Sequence, residues 1–212
     1  MRIYRDRQDA GQQLADALGA YAAPDTVVVG LPRGGMPVAA EVARRLGAPL
    51  DVFVVRKLGV PYQPELAMGA IASGGVLVRN ERVLRLLPDA EASLAQVRQR
   101  ELVVLAAREA MYRGQRPALD LAGKRVIVVD DGVATGATMK AAVKALRKSG
   151  ASSVIVAVPV GAPDTCRELE EEADALVCLQ SPRLFSAVGE WYEDFGQTTD
   201  EEVGEILRSA RG

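Results

Sequence analysis

The run Arg125-Val126-Ile127-Val128-Val129-Asp130-Asp131-Gly132-Val133-Ala134-Thr135-Gly136-Ala137-Thr138 sets two opposite chemical preferences within a few residues. A hydrophobic strand ends in two adjacent carboxylates and enters a small, hydroxyl-rich turn that opens a helix. The amides of that turn (Val133, Ala134, Thr135, Gly136, Ala137, Thr138), the positive end of the helix dipole and the threonine hydroxyls suit a phosphate monoester. Asp130 and Asp131 cannot touch that phosphate, but as acceptor-only groups they suit the hydroxyls of an attached sugar. A capped strand end and a Thr-capped helix account for each residue singly, not for the set. A second turn, Gly30-Leu31-Pro32-Arg33-Gly34-Gly35-Met36-Pro37, follows another strand. Its glycine amides and the charge of Arg33 make a second oxyanion site over Pro32, Arg33, Gly34 and Gly35. Farther on, Arg56 and Lys57 stand at the root of a stretch broken by Gly59, Pro61 and Pro64 and carrying Glu65. That stretch reads as a mobile loop with two cations at its base.

What the chain lacks narrows the chemistry further. Its 212 residues include no histidine, which excludes a Ser-His-Asp triad, a His-paired thiolate and any His-ligated metal site. Cys166 and Cys178 are too few for a disulfide scaffold and stand at no metal-ligand spacing, so they read as buried, reduced thiols of a cytoplasmic protein. With 26 basic and 28 acidic residues the net charge is -2, and no global positive field exists to hold nucleic acid. The first residues are charged at once and no apolar run reaches membrane-spanning length, so neither a leader nor a membrane anchor is expected.

The elements that must position these groups follow an α/β rhythm. Short β-branched runs at 26–31, 50–55, 71–79, 125–130, 152–158 and 175–179 read as strands of a mostly parallel sheet. Helical periodicity covers 36–46, 137–149 and 164–172 between them, and 88–113 reads as one long helix that packs on the sheet without carrying chemistry. Two terminal stretches stand outside the rhythm: an amphipathic segment over 4–21, and 181–197, which gathers Phe185, Trp191, Tyr192 and Phe195 from a chain that is only 4% aromatic. The aromatic group suits either hydrophobic anchoring or a lid over a planar ligand. Residues 200–211 read as a last helix.

The stretch from Val128 to Thr138 resembles the phosphoribosyl-pyrophosphate (PRPP) signature of the type I phosphoribosyltransferases. The turn at 32–35 is similar to that family's pyrophosphate loop, and 54–75 to its flexible catalytic loop. The N-terminal Tyr4-Arg5-Asp6-Arg7 and the late Ala187-Val188-Gly189-Glu190-Trp191-Tyr192 with Phe195 resemble a subgroup of predicted phosphoribosyltransferases with unassigned acceptor. The resemblance implies a Rossmann-like parallel-sheet core over about 22–180, helices on both faces, and a small hood from 1–21 and 181–212, all within one domain of 1–212. It implies transfer of the 5-phosphoribosyl group of PRPP to a nitrogen acceptor, a nucleobase or related amine, with release of pyrophosphate.

In that scheme Asp130 and Asp131 hold the ribose, 133–138 the 5-phosphate and 32–35 the pyrophosphate across a strained peptide bond. Arg56 and Lys57 face the leaving group, Glu65 orients water, metal or the incoming nitrogen, and Trp191 or Tyr192 stacks on the acceptor. Mg2+ is held mainly by PRPP oxygens, with help from Asp130 and Asp131 in place of a protein cage. A homodimer active in nucleotide metabolism is implied as well. Gly132 replaces the bulky apolar residue usual in the signature, leaving its backbone freer. Ala134 replaces the aspartate of the 6-oxopurine enzymes, which disfavours hypoxanthine and guanine. A regulator that binds PRPP without turnover is the alternative; a dinucleotide oxidoreductase is weaker, since no G-x-G-x-x-G follows the first strand.

Overall fold

Valine and isoleucine dominate the runs that build the central sheet, because strands covered on both faces have no solvent side to alternate with. The computed structural model describes residues 3–210; Arg211, the expected end of the last helix, and the first two hood residues lie outside them. In chain order the elements are α1 (Arg7–Ala17), β1 (Thr26–Gly30), α2 (Gly35–Leu46), β2 (Leu50–Val52), β3 (Val55–Val60), β4 (Gln63–Ala72), β5 (Val76–Arg79), α3 (Glu81–Leu84), α4 (Ala90–Arg113), β6 (Arg125–Val129), α5 (Ala137–Lys148), β7 (Ser153–Val160), α6 (Pro163–Glu172), β8 (Ala175–Gln180) and α7 (Asp200–Ser209). Five strands form one parallel sheet in the order β2-β1-β6-β7-β8. Side chains on one face of it (Val28, Ile127, Val129, Ile155) pack with α1 and α2, and those on the other (Val27, Val126, Val128, Val156) with α5 and α6. Each fully buried Val or Ile contributes roughly 1.5–3 kcal/mol. The protein is thus a doubly wound α/β fold.

Two expectations need correction. The broken stretch at 55–72 is ordered as a β-ribbon: β3, β4 and β5 form an antiparallel sheet, in which Leu58, Met68 and Ile71 face α4 while Val55, Ala72, Val76 and Val78 pack with α5. The strand expected over 71–79 is accordingly split by a tight turn at Ser73–Gly75, where Gly74 and Gly75 take φ of 77° and 73°. Leu14 of α1, Leu18 just after it, and Val203 and Leu207 of α7 belong to the same buried cluster as Val28 and Met36. What does stand apart is a small strap, in which the Tyr4 amide donates to the Trp191 carbonyl at 2.9 Å and Glu193 returns a bond to Tyr4 at 2.8 Å.

Candidate active site

In an open parallel sheet a ligand crevice forms at the carboxyl ends of the strands where the strand order reverses. Here that point lies between β1 and β6, and the turns that leave these two strands are the two anion turns found in the sequence. They touch: Leu31 N–H donates to the Val129 carbonyl at 2.9 Å. A Cβ placed on Gly34 would overlap Asp131 Oδ2, and one on Gly35 would lie 2.8 Å from the Asp130 Cα. Glycine is therefore required for the 32–35 turn to sit directly on the acid pair. The Pro32–Arg33 peptide in this turn is cis. Among the described residues Arg33 makes no ion pair.

The second turn is fixed from below and open above. Val133 N–H donates to the Val160 carbonyl at 3.0 Å, its own carbonyl accepts from Ala162 N–H at 2.9 Å, and the Thr165 hydroxyl donates to the Ala134 carbonyl at 2.5 Å. Helix α5 begins its ladder with Lys140 N–H donating to the Gly136 carbonyl at 2.8 Å, so the amides before it lack intrahelical partners. Ala134, Thr135, Ala137 and Thr138 are exposed on that side. Gly132 does not serve backbone freedom as expected. A Cβ there would lie 2.6 Å from Cγ1 of Val188 and 3.1 Å from Cγ1 of Val160, so the missing side chain makes room for Val188 from the strap. Gly132→Val should cost about 1–3 kcal/mol by overpacking, and adding Val188→Ala should return part of it, measured as non-additive thermal melts of the two single variants and the pair.

The acid pair carries its own support. Asp130 accepts the Asp131 N–H at 2.9 Å, and Asp131 Oδ2 accepts from Arg7 Nε at 2.8 Å. Burial pushes both carboxyls above the usual carboxylate range; the neighbouring Asp131 charge raises Asp130 further, whereas Arg7 works against the rise at Asp131. Arg7 also donates to the Gly196 carbonyl at 2.6 Å and lies 4.0 Å above the Phe195 ring centroid, a cation–π contact. Tyr192 is only 6% exposed and its hydroxyl donates to the Asp131 carbonyl at 2.5 Å. It pillars the pair, with Tyr4 and Phe195 at 5.5 and 5.1 Å between ring centroids, and offers no free face for stacking. Trp191 beside it is partly buried, and its Nε1 has no hydrogen-bond partner among the described residues. The support by Arg7 and Phe195 was not legible, since the two lie nearly a whole chain apart in sequence.

The ribbon residues stand in ion pairs with groups that belong to neither turn. Arg56 faces α4 and donates to Glu101 Oε2 from Nη2 at 2.6 Å and from Nε at 3.0 Å. The long helix thus supplies the carboxylate that pairs with Arg56. Lys57, on the opposite face of β3, pairs with the almost wholly exposed Glu65 at 3.4 Å. A cavity of about 1200 Å³ lies between α1, α2 and α7, with Arg7 and Gly196 in its lining.

The acid pair thus stands at the switch-point crevice of a doubly wound α/β fold, with a turn on each side of it. A family model for the phosphoribosyl transferase domain matches residues 4–194, and the chain belongs to that family. It is 49% identical, over 99% of its length, to a Mycobacterium tuberculosis H37Rv protein bearing a provisional phosphoribosyl transferase name, of which the match covers 47%. The chain thus spans about half the length of that curated relative. A crystal structure from Thermus thermophilus is 46% identical with a TM-score of 0.90 over the whole of both chains. The uracil phosphoribosyltransferase of a Nocardioides species is 35% identical over 44% of this chain and 42% of its own. No helix among the described residues is long and apolar enough to cross a membrane.

Proposed function

We propose that residues 1–212 act as one transferase unit that moves the 5-phosphoribosyl group of PRPP to a nitrogen acceptor and releases pyrophosphate. The observation that carries this is the seating of the 32–35 turn directly on Asp130 and Asp131, with the unladdered amides of the other turn beyond them. In this reading the 5-phosphate lies on 133–138 and the ribose hydroxyls on the two carboxylates. The pyrophosphate lies on the turn of Pro32, Arg33, Gly34 and Gly35. Positioning and preorganised charge would supply most of the acceleration. Arg56 would exchange Glu101 for the leaving group, and Lys57 and Glu65 would approach it on the ribbon. Trp191 is the hood aromatic with surface left for an acceptor.

Among the described residues no three metal-ligating side chains cluster, so the acid pair fits Mg2+ only as an addition to substrate oxygens. When bound there, the metal would neutralise charge on the departing pyrophosphate. A cytoplasmic homodimer in nucleotide metabolism completes the reading and rests on the family alone.

The uracil enzymes among the relatives, together with Ala134 in place of the 6-oxopurine aspartate, favour a pyrimidine-like acceptor. Calorimetry with Mg-PRPP should give saturable binding, and a panel of heterocycles and amines headed by uracil should contain one that drives pyrophosphate release. Absence of PRPP binding would overturn the proposal. Binding without release across the panel would favour a PRPP-responsive regulator.

A further inference from the structure

We propose that Cys166 and Cys178 form a site of reversible oxidation by peroxide, and that their disulfide loosens the 133–138 turn. The two thiols, the only ones in the chain, stand with Sγ atoms 3.6 Å apart. Cys166 sits in the first turns of α6, and Cys178 on β8, held opposite Val158 in the sheet. Both line a cavity of about 300 Å³ with Arg167, Glu170 and Ser181, room for a small oxidant to reach sulfur. Gly161 keeps that room, since a Cβ on it would lie 2.5 Å from the Cys166 Sγ and 3.4 Å from that of Cys178. These cysteines are therefore paired beside a cavity, where the sequence suggested simple burial.

Reactivity and consequence both follow from the neighbours. Hydrogen bonding with Cys178 and then with Ser181 holds the Cys166 thiol below the usual thiol range, against burial and the charge of Glu170. A thiolate attacks the peroxide most readily. The Cys166 sulfur forms an S–O bond as the O–O bond breaks and hydroxide leaves to become water. Cys178 then gives up its proton and attacks that sulfur; the S–S bond forms, the S–O bond breaks, and a second water departs. Two thiols are oxidised by two electrons as one peroxide is reduced.

Closing the sulfurs to a bonded distance of about 2.05 Å needs a shift of about 1.5 Å. Cys178 is tied into β8, so the shift falls on α6, and the residue before Cys166 is Thr165, whose hydroxyl holds the Ala134 carbonyl. Gly161, wedged against both sulfurs, is itself bridged to Val133. Oxidation thus pulls on two of the anchors beneath the turn.

The test treats the reduced full chain with hydrogen peroxide. Peptide mapping should find a 166–178 disulfide with loss of both free thiols, a thiol reductant should restore them, and amide exchange across 133–139 should accelerate only in the oxidised form. Cys178→Ser should instead accumulate a sulfenic acid on Cys166, trapped by dimedone, with the turn's exchange unaltered. Survival of both thiols under peroxide, or a disulfide that leaves exchange in the turn unchanged, overturns the inference. The functional arm rests on the proposed PRPP site: oxidation should weaken Mg-PRPP binding about three- to tenfold, the worth of one lost anchoring hydrogen bond. If the reduced protein binds no PRPP, that reading fails and the exchange measurement still decides this one.

Discussion

Asp130→Asn should raise the stability of the ligand-free protein while weakening its hold on Mg-PRPP. Burial, and after it the charge of Asp131, lifts the Asp130 carboxyl well above its ordinary value. A carboxyl raised on folding binds its proton more tightly in the native state than in the unfolded chain. Its contribution to stability is full below the unfolded value near 4 and is lost as pH rises through the folded one. At neutral pH the wild type bears the cost of holding that charge in place, and the amide does not. The melting temperature of Asp130→Asn should exceed that of the wild type by a margin that widens as pH rises above the unfolded carboxylate value near 4.

Binding should move the other way. A charge-assisted hydrogen bond to a ribose hydroxyl is worth about 1.5–3 kcal/mol, so the single change should weaken Mg-PRPP roughly 10- to 150-fold, and Asp130→Asn with Asp131→Asn further. Inorganic pyrophosphate is the control: the isosteric amides leave the 32–35 turn seated, and its affinity should hold. A double variant that binds PRPP like the wild type would sink the assignment of the pair to the sugar. Asp131→Asn alone should show less gain in stability, because it also dismantles the 2.8 Å pair with Arg7. Stability given up at a carboxylate pair is a trade expected where function sets the residue type.

The parallel sheet and the two anion turns were legible because their determinants are local. A continuous β-branched run signals a doubly covered strand, and a Gly- or Thr-rich turn at a helix start signals free amides. The ribbon was not legible, since Gly59, Pro61 and Pro64 interrupt the alternation that marks strands. In the structure these breaks have pairing reasons. The register shifts on both sides of Gly59, whose absent side chain lets the Pro64 backbone approach, and a Cβ on Gly69 would overlap the Val78 carbonyl. The support of Asp131 was hidden for another reason: Arg7 and Tyr192 reach it across 124 and 61 residues. No periodicity reports such a contact. The cost of Gly132 was misjudged likewise, because Val188, its counterpart, belongs to the strap.

Arg113→Ala should produce the largest loss of stability, about 3–5 kcal/mol by the usual cost of breaking a buried ion pair from one side, a large share of the roughly 5–15 kcal/mol that holds most domains together. Arg113 closes α4 onto the sheet edge: Nε donates to Asp51 Oδ1 at 2.9 Å, Nη2 to the Val52 carbonyl at 2.7 Å and Nη1 to Glu109 at 2.7 Å. Asp51, only 3% exposed on β2, also accepts from the amides of Val52 and Leu119 at 2.8 and 2.9 Å. Removing the guanidinium takes from Asp51 the cation it pairs with at 2.9 Å.

The sign of a second substitution tests that account. Asp51→Asn in the native background breaks an ion pair and should destabilise, whereas in the Arg113→Ala background it removes a buried carboxylate that has already lost the Arg113 cation and should stabilise. The amide oxygen can still accept from Val52 and Leu119. Urea unfolding of the four proteins would read this reversal directly. Equal and additive losses would show that Arg113 acts through packing of its aliphatic stem instead. The same edge leads into the ribbon, since β2 runs into Phe53, whose amide donates to the Gly30 carbonyl at 2.9 Å, and Val54, whose amide donates to the Ser73 hydroxyl at 2.9 Å. Loss of Arg113 should therefore loosen the root of the ribbon as well as the core, with faster amide exchange at 53–55 than at β7 in the variant before global unfolding.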